Sequence, residues 1–219
     1  MPGSLSNSSK DSQMIVEDKI HLYAITDEYL TPDNTVLEQV KESLDAGISI
    51  LQYRNKSKTD EQVRNICIEL QRLCKTYNVP FIIDDRPFLA QSIGADGLHI
   101  GKDDMSLSEA RKIFTQGIIG VSCYGSLRKA KEAEKEGADY VAFGSFFKSP
   151  TKPHSGIISR SIIKKAKNTL QIPVCVIGGI CSSNIDEMIK EKPDMISVVN
   201  GIYDGNITNN IKELLAKMS

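Results

Sequence analysis

Arg54 and Lys56 stand two residues apart in the run Gln52-Tyr53-Arg54-Asn55-Lys56. On an extended chain alternate side chains share a face, so Gln52, Arg54 and Lys56 can project together. An amide and two cations on one side suit a multiply charged anion, which arginine grips with its planar fork. The same residues would also serve as a solvated strand end with surface ion pairs. Further along come Asp84-Asp85-Arg86 and Gly101-Lys102-Asp103-Asp104. Each aspartate alone suits a helix N-terminus. Carboxylates from two neighbouring segments beside Arg54 and Lys56 suit a hard cation better. Mg²⁺ commonly takes one or two carboxylates and completes its shell with water and phosphate oxygens.

Lys148-Ser149-Pro150-Thr151-Lys152 places two hydroxyls and two cations within five residues. These are phosphate donors, in a loop long enough for a substrate flap or a surface turn. Gly178-Gly179 and Val199-Asn200-Gly201 offer backbone N–H groups that can cradle a phosphate at a loop–helix junction. Ser122 either orients a substrate or caps a turn. His21 and His99 lie in apolar runs and read as core residues, and His154 lies near the flap. No Ser/His/Asp set or GxSxG elbow is visible, which argues against acyl-enzyme chemistry.

Something must hold these scattered groups together, and the chain alternates accordingly. Apolar runs of strand type fall at His21–Ile25, Ile48–Tyr53, Pro80–Ile83, Gly97–Ile100, Ile118–Val121, Tyr140–Phe143, Val174–Ile177 and Met195–Val199. Segments of helical spacing lie at Asp33–Ala46, Asp60–Tyr77, Pro87–Ile93, Ser106–Phe114, Ser126–Glu136, Ser159–Asn168, Ser182–Lys190 and Asn209–Lys217. Such alternation implies βαβ units and a parallel sheet. Gly47, Gly94 and Gly137 stand where helices end in a left-handed residue. Ser106, Ser126 and Ser182 stand where helix N-caps are expected. Gly94-Ala95-Asp96 and Gly137-Ala138-Asp139 repeat one helix-to-strand corner. Eight units favour an α/β fold of the single-domain (β/α)₈ TIM-barrel class, although an open sheet also satisfies the periodicity. A barrel gathers its chemistry at the carboxyl ends of its strands, where all the groups above fall.

The 219 residues suit one domain, and a net charge of −1 gives no global attraction for nucleic acid or an acidic membrane. Residues 1–16 read as a disordered leader or a cloning remnant, and residues 17–219 as the catalytic barrel. No apolar run approaches a membrane span. The five cysteines form no CxxC pair, so buried thiols in a reducing cytoplasm are expected. The sequence is compatible with assembly of identical subunits.

Several motifs in order resemble the thiamine-phosphate synthase family: Leu22-Tyr23-Ala24-Ile25-Thr26-Asp27, Gln52-x-Arg54-x-Lys56, Asp85-Arg86, Gly94 to Gly101, Gly120-Val121-Ser122, Gly137-Ala138-Asp139-Tyr140, Thr151-Lys152 and Ile177-Gly178-Gly179-Ile180. The resemblance runs from about Leu22 to the C-terminus. It implies a transferase that joins an aminopyrimidine methyl diphosphate to a thiazole ethyl phosphate and releases pyrophosphate. By the same resemblance Arg54, Lys56 and Lys152 hold the diphosphate, and Asp85 and Asp104 hold Mg²⁺. Gln52 and Ser122 address the pyrimidine side. Ser149, Thr151, Gly179 and the Val199-Asn200 backbone hold the thiazole phosphate. Ser122 and Lys152 carry the catalytic role, with Asp84 also against the substrate. Asp84 departs from the family's usual Asn, Lys148-Ser149-Pro150 from its Pro-Thr-x, Tyr124 from a common His, and Asn200 from a Ser. Two other readings of the same barrel are a thiazole tautomerase and a non-catalytic phosphate-binding barrel. Tyr124 and Thr151-Lys152 favour the synthase over the tautomerase, whose proton shuttle uses a His at the position of Tyr124.

Overall fold

The computed structural model describes residues 19–149 and 156–219. Eight strands close into a parallel barrel in chain order: β1 His21–Ile25, β2 Ile50–Tyr53, β3 Phe81–Asp84, β4 Gly97–Ile100, β5 Ile118–Tyr124, β6 Tyr140–Phe143, β7 Val174–Ile177 and β8 Met195–Val198. Helices α1 Val36–Ala46, α2 Asp60–Thr76, α3 Pro87–Ile93, α4 Leu107–Ile113, α5 Leu127–Lys135, α6 Ser161–Lys167, α7 Asp186–Ile189, α8 Asn200–Tyr203 and α9 Ile207–Met218 follow the strands. The barrel is the closed alternative of the two the periodicity allowed. The leader expected at residues 1–16 lies outside the described residues.

Strand side chains alternate between two cores. Leu22, Leu51, Ile83, Leu98, Ile119, Val141, Val176 and Ile196 point outward and pack in one buried cluster with the helices. Each such side chain contributes about 1.5–3 kcal/mol by leaving water. Tyr23, Ile50, Ile82, Tyr140, Cys175 and Met195 fill the interior. Two glycines make room for the large ones. A Cβ on Gly120 would lie 1.9 Å from the Tyr140 ring, and one on Gly97 would lie 2.4 Å from Ile82.

The helix signals hold in most places. Ser106 and Ser126 accept from the N–H groups of Glu109 and Lys129. Gly47 and Gly94 are left-handed caps, and Gly137 has φ +90°. The seventh unit differs. Its helix is only Asp186–Ile189, because Asn184 turns the preceding chain by accepting from Cys181 N and donating to Gly179 O. Ser182 is therefore not an N-cap. A short α8, absent from the helical periodicity, leaves β8 directly. β5 runs on to Tyr124 with a register shift between Ser122 and Tyr124.

The repeated corner has a clear role. Asp96 and Asp139, just ahead of β4 and β6, each make two bonds to the preceding strand. Their backbone N–H groups donate to Phe81 O and Ile119 O, and their carboxylates accept from the N–H groups of the same residues. Asp194, ahead of β8, does the same to Val174. Cys67, Cys74, Cys123 and Cys175 are buried free thiols. No described helix is long and apolar enough to cross a membrane.

Candidate active site

A cavity of about 500 Å³ opens at the carboxyl ends of the strands. Gln52, Arg54, Lys56, Asp84, Asp104, Ser122, Ser149, Gly179, Val199 and Asn200 all line it. Asp85 does not border the cavity but reaches it through Lys56. Thr151 and Lys152 lie outside the described residues.

One wall is charged. The Lys56 ammonium contacts Asp85 and lies 3.4 Å from both Asp84 Oδ2 and Asp104 Oδ1. Arg54 Nε stands 3.7 Å from Asp84 Oδ2. Consecutive strand residues should face opposite ways, yet Asp84 and Asp85 both reach Lys56. Asp85 achieves this with φ +56°, a left-handed turn that aspartate tolerates better than most residues. Arg86 holds the facing loop by donating to Asn55 O at 2.5 Å and Lys58 O at 2.6 Å, and it pairs with Asp60. Asp104 accepts from Gly101 N at 2.6 Å, so it caps its own turn as well as facing Lys56.

Burial dominates the electrostatics of this wall. Burial raises the carboxyls of Asp84 and Asp85 above their ordinary range, against the pull of Lys56. Burial opposes the Lys56 ammonium too, but the three carboxylates outweigh it and hold it above the usual lysine value. Three cations reach these carboxylates, since Arg86 Nε also stands 3.6 Å from Asp85 Oδ1. Among the described residues no group of three His, Cys, Asp or Glu side chains forms a complete metal cage. Asp85 and Asp104 are the oxygen donors here that could serve a hard cation.

The opposite wall, from β6 to β8, is rich in glycine, beside Ser145, Lys148, Ser149 and Asn200. Gly178 and Gly179 have φ +108° and +67°. A Cβ on Gly178 would lie 2.4 Å from Ser145 Cβ, and one on Gly179 only 2.3 Å from Lys148 O. Phe147 N donates to Gly178 O at 3.0 Å, which locks the two loops together. A Cβ on Gly201 would likewise lie 2.5 Å from Ile180 O. These glycines are needed because one backbone rides over another.

The floor contains His99, which the sequence reads as a core residue, and two tyrosines. Tyr23, His99 and Tyr140 are buried but line the cavity. His99 Nε2 lies 2.9 Å from Ser122 Oγ, and its Nδ1 lies 2.8 Å from Tyr140 Oη. Ser122 is therefore part of the floor rather than a turn cap. The available signal was strand alternation: His99 sits two residues from Gly97, and Tyr23 two from Ile25, both inward positions. Cys175 also faces the cavity, but burial pushes its thiol up to about 12, which leaves it unreactive.

The family described as thiamine monophosphate synthase matches residues 22–202. The chain belongs to that family. A thiamine-phosphate synthase of Wolinella succinogenes is 43% identical over 188 residues, covering 85% of this chain and 86% of the relative. One of Picrophilus torridus is 42% identical over 205 residues, covering 90% and 97%. The solved thiamine phosphate pyrophosphorylase of Pyrococcus furiosus superposes with a TM-score of 0.82 at 34% identity, over 91% of this chain and 95% of that one. In this family's frame the charged wall comes from motifs after β2 to β4, and the glycine wall from motifs after β7 and β8.

Proposed function

We propose that the protein condenses 4-amino-2-methyl-5-pyrimidinylmethyl diphosphate with a thiazole ethyl phosphate, giving thiamine phosphate and pyrophosphate. The observation that carries this reading is the convergence of Asp84, Asp85 and Asp104 on Lys56 beside Arg54, at the mouth of a cavity whose other wall is rich in glycine. A charged wall suits the diphosphate and a glycine wall suits a second, singly phosphorylated substrate.

Asp85 and Asp104 would hold Mg²⁺, with Asp84 close by. When bound, the ion supplies countercharge to the diphosphate. Arg54 and Lys56 neutralise the charge that develops as the diphosphate departs, and Lys152 is assigned to the same task. Gln52 and Ser122 hold the pyrimidine, whose ring amino group spreads the positive charge left on the methylene carbon. Ser149, Thr151, Gly179 and the Val199-Asn200 backbone hold the thiazole phosphate so that the thiazole nitrogen meets that carbon. No strong base is required, and holding two reactants in line can supply up to ~7–11 kcal/mol. Mass-spectrometric detection of thiamine phosphate after mixing protein, both substrates and Mg²⁺ tests the proposal. Turnover of the thiazole phosphate alone, with no condensation product, would instead indicate a tautomerase.

A further inference from the structure

Tyr124, at the end of β5, is built in an unusual way. The pairing of β5 with β6 slips just before it: Ser122 opposes Ala142, but Tyr124 opposes Phe143. Ala142 faces the barrel interior, whereas Phe143 packs outward with the helices. In register with Phe143, Tyr124 would follow it to the outer face. Ser122 and Tyr124 nonetheless both line the cavity. A bulge re-aims the side chain beside it, and a φ of +56° at Tyr124 completes the turn. A bulky side chain takes that φ only under constraint. Burial does not offset it, because Tyr124 is 42% exposed.

The contacts of the phenol show what the turn achieves. Tyr124 Oη accepts from Lys102 N at 3.1 Å. The ring lies beneath Lys129 of α5, whose Nζ is 5.6 Å from its centroid, and Tyr124 O accepts from Gly144 N at 3.2 Å. Lys102 belongs to the turn that carries Asp104. Inside that turn Gly101 N donates to Asp104 Oδ2 at 2.6 Å, while Asp104 Oδ1 lies 3.4 Å from the Lys56 ammonium. The two oxygens that hold the turn share the space beside Gly101. A Cβ there would lie 3.1 Å from Asp104 Oδ2 and 3.5 Å from Tyr124 Oη. Neighbouring peptide N–H groups are thus held one from within the turn and one from the next strand.

We propose that Tyr124 is a positioning residue for the charged wall, whose hydroxyl pins residues 101–104 from outside so that Asp104 Oδ1 stays opposite Lys56. The inference rests on the assignment of Asp104 to the metal under the proposed function. Lys102 and Asp103 are exposed, and a surface turn opens readily unless its backbone is tied down. Without the outer bond the turn is held only through Asp104 itself. The carboxylate must then close its own turn and meet a cation at once. With Tyr124 in place the backbone is fixed independently, and Asp104 keeps Oδ1 aimed at the site. The strained backbone and the exposed ring are accounted for together: the φ of Tyr124 serves the turn of the neighbouring strand rather than the packing of its own.

Two measurements test it. In the unaltered protein, the Lys102 amide should exchange with solvent about 5-fold slower than the adjacent Asp103 amide, after correction for intrinsic rates. Equal exchange would overturn the proposal, and this reading needs no variant to fold. The second uses Tyr124→Phe, which keeps the ring over which Lys129 lies and removes the acceptor. Binding of inorganic pyrophosphate is followed by calorimetry at increasing Mg²⁺. The Mg²⁺ concentration for half-saturation should rise about 5-fold, the worth of one neutral hydrogen bond. Affinity for the thiazole ethyl phosphate should stay within about 2-fold, as for a surface change elsewhere. An unchanged Mg²⁺ requirement would remove Tyr124 from this role. An equal loss for both ligands would make it a general structural residue and equally sink the idea. Formation of thiamine phosphate is read separately. A protein that makes it while Tyr124→Phe leaves the Mg²⁺ requirement unmoved loses this inference and keeps the proposed function. A raised Mg²⁺ requirement for pyrophosphate with no thiamine phosphate formed keeps the positioning role and removes the condensation.

Discussion

The two walls of the cavity are built on different physics. The wall from β2 to β4 uses side chains: Arg54, Lys56 and Arg86 against Asp84, Asp85 and Asp104, partly buried. The wall from β6 to β8 has no carboxylate among its described lining residues, and uses glycines pressed against neighbouring backbone. Charge on the first wall must be balanced and therefore responds to pH, metal and neighbouring charge. Shape on the second wall responds to single atoms. Under the proposed function, the contrast would let one cavity tell two phosphorylated substrates apart, one by charge and one by shape.

The contrast can be broken most severely at the metal. Asp104→Ala should raise the Mg²⁺ concentration needed for half-maximal turnover by roughly 100-fold, the upper end of effects seen around metal sites, with little change in thiazole phosphate KM. An unchanged Mg²⁺ requirement would remove Asp104 from the charged wall. The same titration should show Mg²⁺ binding weaken on acidification sooner than for ordinary aspartates. Asp84 and Asp85 are held above the usual carboxylate range, chiefly by burial, and protonate earlier as pH falls. Metal affinity that stayed flat until the usual aspartate range would contradict that.

Gly179→Ala probes the other wall. The new methyl would lie 2.3 Å from Lys148 O at a φ of +67°, so loop and cradle must separate. Overpacking of this kind costs ~1–3 kcal/mol, and thiazole phosphate KM should rise about 10-fold with the Mg²⁺ requirement unmoved. A shift in the Mg²⁺ requirement instead would show that the walls are coupled.

The smallest effect sharpens the comparison rather than breaking it. Asp84→Asn removes one negative charge from beside the proposed diphosphate. It should lower the KM of the pyrimidine diphosphate by about 5-fold, as ~1 kcal/mol of relieved repulsion predicts. It should also stabilise the protein near neutrality. Asp84 binds its proton more tightly when folded than when unfolded, so its charge penalises the fold above the folded pKa and has no effect below the unfolded one. The gain in Tm should therefore shrink as pH falls through the carboxylate range. A gain that grew in acid would place its origin elsewhere.

The barrel was legible because its punctuation is local. Gly47, Gly94 and Gly137 end helices, Ser106 and Ser126 start them, and each strand is a short apolar run. The charged wall was legible too, since Arg54, Lys56, Asp85 and Asp104 are conspicuous by type and follow strand ends. Tyr23, His99 and Tyr140 were not, because a polar atom inside an apolar strand looks like core until its cross-barrel partner is known. Those partners are 29 to 117 residues away. The seventh helix was misjudged for a related reason: Ser182 looks like a cap, but Asn184 satisfies the turn first. The glycine wall was readable as two glycine-bearing loops but not as a close crossing of two backbones, which only distances reveal.

The aspartate corners carry a consequence for how the ring is assembled. Asp96 grips the opening residue of β3, Asp194 that of β7, and Asp139 the second residue of β5, each by two bonds. Ahead of β2 the corresponding Ser49 makes one backbone bond to Leu22 O. Three of the four odd-to-even pairs are thus stapled, which makes three double tiles beside an unstapled β1–β2 pair. Chain breaks placed after β4 or β6 would fall on seams between tiles, whereas breaks after β3, β5 or β7 would tear a tile in half.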